Sequence, residues 1–69
     1  MGNNVYKIVE LVGTSVNGTD DAIRNGVETA AKTLRNVDWY EVVESRGHVV
    51  DGKVAHYQVT LKIAFRLEQ

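Results

Sequence analysis

The chain has 69 residues, a formal net charge of -1, 43% hydrophobic and 25% charged residues, and no cysteine. A chain this short forms one domain and buries too little surface to stand securely alone, so both a bound ligand and partner chains are expected to complete it. Disulfides and cysteine-based zinc sites are excluded, the near-neutral charge lacks the basic footprint of nucleic-acid binding, and no apolar run reaches the length of a membrane span.

The start, Met1-Gly2-Asn3-Asn4, lacks a secretion-signal pattern, and a cysteine-free chain of this kind is expected in the cytoplasm. Asn17-Gly18-Thr19, which matches a glycosylation sequon, is accordingly read as a turn. Val5 to Val12 is rich in β-branched and apolar residues and predicts a strand. Gly13 to Gly18 reads as a loop by composition. Thr19 is the expected N-cap of a helix over residues 20–35, with Asp20 and Asp21 in its first turn, where carboxylates suit the helix dipole. Ile23, Val27, Ala30 and Leu34 form its apolar stripe. Glu28 and Lys32 are spaced for an exposed i,i+4 pair, and Lys32 and Arg35 bring positive charge to the C-terminal end.

Two strand-like runs follow, Val37 to Val50 and Lys53 to Leu67, separated by Asp51-Gly52, a dipeptide suited to a type I′ hairpin turn. The last run alternates. Tyr57, Val59, Leu61, Ile63, Phe65 and Leu67 point one way; His56, Gln58, Thr60, Lys62, Ala64 and Arg66 point the other. The order is β-α-β-β. A helical crossover favours parallel first and second strands, so the third fits between them. The expected fold is α+β: a three-stranded antiparallel sheet of order 1-3-2 with one helix packed on one face.

A tight turn at Asp51-Gly52 pairs Val42 with Leu61 and Tyr40 with Ile63 on the helix-covered face. It pairs Glu41 with Lys62, Trp39 with Ala64, and Ser45 with Gln58. The single tryptophan, Trp39, is then expected on the face away from the helix, together with Gln58, Thr60 and Lys62. A large indole on an uncovered face marks a contact site, either for a ligand or for another subunit. The same register puts Arg46 on the helix side unless a bulge near Gly47 shifts it or the residue acts from another subunit.

The sequence resembles the dodecins over nearly its whole length. The likeness rests on Val5-Tyr6-Lys7, on Glu10-Leu11-Val12-Gly13-Thr14-Ser15, on Asp38-Trp39-Tyr40-Glu41-Val42, on Tyr57-Gln58-Val59 and on Phe65-Arg66-Leu67-Glu68. The resemblance implies a single dodecin-like domain over residues 1–69 that assembles into a hollow homododecamer. It implies binding of riboflavin, FMN or FAD, with paired flavins held between Trp39 side chains of symmetry-related subunits. Gln58 matches the glutamine that hydrogen-bonds the polar edge of the flavin ring. Arg46 and Arg66 match arginines near the phosphate-bearing tail, the alternative being surface ion pairs with Glu44 or Glu68. Some bacterial dodecins also bind coenzyme A on the outer surface, for which Tyr6, Lys32 and Arg35 are the candidates. The implied role is flavin storage and photoprotection.

No catalytic or metal-binding residues are expected. His48 and His56 flank the hairpin turn without an acidic cluster at metal spacing. Ser15 and Ser45 have no base partner legible in the sequence. Gly13 to Thr19 lacks both phosphate-binding glycine patterns and reads as a connector that also contacts other subunits.

Overall fold

The computed structural model describes residues 3–68, so Met1 and Gly2 of the start read for a secretion signal lie outside the described residues. Four elements follow in order: β1 (Tyr6–Ser15), α1 (Thr19–Thr33), β2 (Val37–Val50) and β3 (Lys53–Arg66). Asp51 and Gly52 have φ of 53° and 75°, the two left-handed residues that a type I′ turn demands. β3 lies between β1 and β2 and is antiparallel to both. β1 and β2 therefore run parallel, as the helical crossover predicts.

Several boundaries differ from the sequence expectation. β1 runs on through Gly13, Thr14 and Ser15, for which composition alone predicts a loop. The reason is packing. A Cβ on Gly13 would lie 2.1 Å from the carbonyl oxygen of Ala22, so only glycine lets the strand and α1 approach this closely. α1 starts at Thr19 itself and ends at Thr33, two residues short of the expected end. Gly18 takes the N-cap position with no side-chain cap. Instead, the Ser15 hydroxyl donates to Asp21 Oδ2 at 2.7 Å and accepts from the Asn17 amide at 2.8 Å, which ties the strand end to the first helical turn. Leu67 is outside β3, where its amide donates to the Val5 carbonyl. The turn into β2 uses Asn36 at φ 64°, a conformation asparagine tolerates, and Asn36 exchanges hydrogen bonds with the Arg66 backbone in both directions.

The core consists of Val59, Leu61 and Ile63 of β3, each with no exposed surface, against Ala22 and Ala30 of α1. Each of the three large side chains contributes about 1.5–3 kcal/mol through burial. The fully buried line on α1 is Ala22, Gly26 and Ala30, while Ile23, Val27 and Leu34 of the expected stripe flank it, half-buried. Small residues thus form the seam, and the larger ones close its sides.

α1 covers β1 and β3 but scarcely β2. Tyr40 and Val42 share the helix side of the sheet, yet remain 48% and 44% exposed. The residues of β2 after Val37 are all exposed, among them Trp39, Val43, Val49 and Val50. The chain extends 55 × 19 × 13 Å with a radius of gyration of 14.3 Å, against about 11 Å for a compact chain of this length. The hairpin is an arm whose apolar residues one chain does not cover.

Candidate functional site

Trp39 is carried on β2 directly after a one-residue bulge at Asp38, and pairs with Ala64 of β3 as the hairpin register predicts. Ala64 is also paired with Ile8 of β1 and is buried, so a small residue lies between two large ones. Trp39 faces away from the helix and is 48% exposed. Tyr6 of β1 braces it from one side, with ring centroids 4.6 Å apart and planes tilted by 44°. The Tyr6 hydroxyl donates to Asp38 Oδ2 at 2.9 Å, so the same tyrosine holds both the indole and the residue before it. That hydrogen bond to a carboxylate raises the Tyr6 pKa above its ordinary 10.0, aided by desolvation and the Asp38 charge and opposed by Arg66. Arg66 is the cross-strand partner of Tyr6 and shares this end of the face.

The second group lies nearer the turn. Between Val42 and Val49 the pairing departs from the simple register. Val43 bulges out of β2 and Ala55 out of β3, so the residues between them are shifted by one. Ser45 pairs with Val59 rather than with Gln58, and Arg46 pairs with Gln58. Arg46 is therefore on the open face, not on the helix side. Its Nε donates to Gln58 Oε1 at 3.0 Å, and its guanidinium is 3.9 Å from Glu44. Gln58 Nε2 is 3.5 Å from His56 Nε2, and His56 faces His48 across the strands at 5.2 Å.

The structure thus brings Trp39, Gln58, Arg46 and Arg66 to one face, in two clusters. Ala64 and Gln58 are separated by six residues of one strand, which corresponds to about 20 Å. One tricyclic ring cannot both stack on Trp39 and meet Gln58 of the same chain.

The other candidates are dispersed. Tyr6 belongs to the Trp39 cluster. Lys32 is exposed in the last turn of α1. Arg35 pairs with Glu68 at 3.0 Å, the carboxylate considered for Arg66, and lines a groove of about 270 Å³ that Arg66 also lines. Sequence reasoning missed Asp38 and His56 as neighbours of the candidates. The strand alternation already placed His56 beside Gln58, but the contact of Tyr6 with Trp39 and Asp38 depends on the Asp38 bulge. Among the described residues, no three His, Asp or Glu side chains cluster to hold a metal, and no helix is long and apolar enough to cross a membrane.

These features define a β-α-β-β domain with an open, aromatic-bearing sheet face and an uncovered hairpin arm. A family model described as Dodecin matches residues 5–68. A dodecin of Thermus thermophilus is 52% identical over 65 residues, 94% of this chain and 94% of that protein. The structure of dodecin from Streptomyces coelicolor matches with a TM-score of 0.93 at 54% identity, covering 100% of this chain and 99% of that one. A tryptophan-to-phenylalanine mutant of the Thermus thermophilus dodecin matches at 49% identity with a TM-score of 0.91, covering 97% of this chain and 100% of that one. The chain belongs to the dodecin family.

Proposed function

We propose that this protein is a cytoplasmic, non-enzymatic flavin store that stacks riboflavin, FMN or FAD against Trp39 inside a hollow homododecamer and protects the cell from photoexcited flavin. The observation that carries this reading is the half-exposed indole of Trp39, braced by Tyr6 on a face that the chain leaves open. Flat, polarizable aromatic systems stack favourably in offset geometry, and an isoalloxazine suits an indole. When bound, the flavin supplies a photoexcitable, electron-accepting ring, for which the electron-rich indole is a quenching partner. The Gln58 amide offers both a donor and an acceptor, as the polar edge of the ring requires. Arg46 and Arg66 offer guanidinium forks to a phosphate tail.

The separation of Trp39 from Gln58 along β3 supports an assembled state, because a ring in contact with both needs two chains. The exposed apolar residues of β2 support it too. Twelve chains of 7.7 kDa give an assembly of about 92 kDa, which sedimentation or light scattering measures directly.

The test is to titrate riboflavin or FMN with purified protein and follow flavin fluorescence. Strong quenching is expected, and Trp39→Ala is expected to weaken binding on the order of tenfold to a hundredfold. An intact oligomer that leaves flavin emission unchanged would refute the reading. Reduction of the bound flavin by NADH with turnover would point instead to an enzyme.

A further inference from the structure

Gln58 holds its amide between two partners of opposite demand. Arg46 has only donors, so the amide atom 3.0 Å from its Nε is the oxygen. The NH2 end is then turned to His56 Nε2, 3.5 Å away, and the contact is a hydrogen bond in the neutral tautomer that carries its proton on Nδ1. Oε1 keeps one lone pair and Nε2 keeps one proton free. These two groups are what the amide can offer a ligand.

We propose that His56 is a positioning residue for this site: with Arg46, it fixes the orientation in which Gln58 presents its donor and acceptor, and its protonation releases them. The proposal rests on the flavin reading of Gln58. When His56 gains a proton, both ring nitrogens become donors, and one of them meets the Gln58 NH2. The amide cannot flip to suit, because a flip sets NH2 against the Arg46 guanidinium. No single orientation then satisfies both neighbours. The imidazolium also adds positive charge beside Arg46.

Among the described residues, the amide's own hydrogen bonds involve Arg46 and His56 alone. From β2, His56 faces His48 at 5.2 Å, and Arg46 carries Glu44 at 3.9 Å. Thr14 and Ser15 at the end of β1, and Val16 just after it, line the hollow around His56. Ligand binding is therefore expected to fall when His56 gains its proton.

The test is the dissociation constant of riboflavin, measured by fluorescence quenching at about pH 8 and about pH 5.5. Riboflavin is chosen because it carries no phosphate, whose second ionisation near pH 6 would overlap. The unmodified protein is expected to bind about five- to tenfold more weakly at the lower pH, the worth of one hydrogen bond. His56→Gln keeps an acceptor that does not titrate, and is expected to bind tightly at both pH values. His56→Leu is expected to bind weakly at both. His48→Asn is expected to keep the pH dependence of the unmodified protein. A flat profile in the unmodified protein overturns the inference, as does a pH dependence that survives in His56→Gln or vanishes in His48→Asn. Weakening that follows loss of the assembly in size-exclusion runs at the two pH values overturns it as well. If riboflavin does not bind at any pH, the flavin reading itself fails.

Discussion

Gly13→Ala is expected to destabilise the protein more than any other single methyl addition at a described glycine. The new Cβ would lie 2.1 Å from the Ala22 carbonyl oxygen and 3.2 Å from the Gly26 nitrogen, both backbone atoms that cannot rotate away. An ordinary carbon–oxygen approach is about 3.3 Å, so α1 must retreat from β1 by about 1.2 Å. That retreat loosens the seam of Ala22, Gly26 and Ala30 over Leu61 and Val59. A gap of about 0.5–1 Å already forfeits a quarter to a half of a dispersion contact. The cost falls at the upper end for overpacking, about 3 kcal/mol. For a domain of this size it lowers the melting temperature by at least about 12 °C. Gly18→Ala is the matched control, since nothing lies within 4 Å of its Cβ and its backbone is extended. Gly26→Ala is expected to fall between the two. Its Cβ is crowded by the ends of two side chains, Leu61 and Leu11 at 2.8 and 3.2 Å, with the Gly13 backbone at an ordinary 3.5 Å, and the helix gains about 1 kcal/mol of propensity. Thermal unfolding is followed by circular dichroism at one protein concentration, because assembly makes the midpoint depend on concentration. A Gly13→Ala midpoint within about 2 °C of the parent would show that the close approach of β1 and α1 does not depend on glycine.

Asp21 is held below its ordinary carboxylate value of 3.8, first by the Ser15 hydroxyl, then by Asn17, with Arg24 and Asn25 adding to the effect. A depressed folded pKa gives stability that is fully present above the unfolded value and lost as pH falls through the folded one. The urea midpoint of Asp21→Asn should therefore lie below that of the parent at neutral pH, and the gap should close as pH drops below 3.8; a gap independent of pH contradicts the assignment. For Tyr6, the near-ultraviolet difference between the parent and Tyr6→Phe should show a phenol titrating above 10.0, and a midpoint at or below that value would deny the Asp38 hydrogen bond its role. Arg66→Ala should weaken FMN by roughly tenfold, the worth of a charged hydrogen bond, and leave riboflavin almost unchanged. Equal losses for both ligands would remove Arg66 from the phosphate end.

Much of this arrangement is legible in the sequence because it depends on local rules. Asp51-Gly52 specifies a two-residue turn, the turn sets the register, and the register puts Trp39 opposite Ala64 on the open face. The alternation of β3 separates Val59, Leu61 and Ile63 from Gln58 and His56. What is not legible arises where nonlocal fit overrides these rules. The bulges at Val43 and Ala55 compensate each other, so the pairing is in simple register at Trp39 and near the turn, and shifted only around Arg46. Neither residue has a chemical signature of a bulge. The helix seam escapes a hydrophobic stripe because Gly26 is small and Ala22 weakly apolar; their value lies in the close approach of Gly13. The contacts of Tyr6 with Trp39 and Asp38 require two strands that are not adjacent in the sheet.

A flavin held between Trp39 of one subunit and Gln58 of another, as proposed, requires two different chains at each site, and subunit complementation tests this. Trp39→Ala and Gln58→Ala chains are unfolded, mixed and reassembled, and riboflavin quenching is read at a concentration where neither variant alone binds. The mixture is expected to regain quenching, because some sites combine the intact Trp39 of one chain with the intact Gln58 of the other. Quenching no greater than the sum of the two separate assemblies would contradict it.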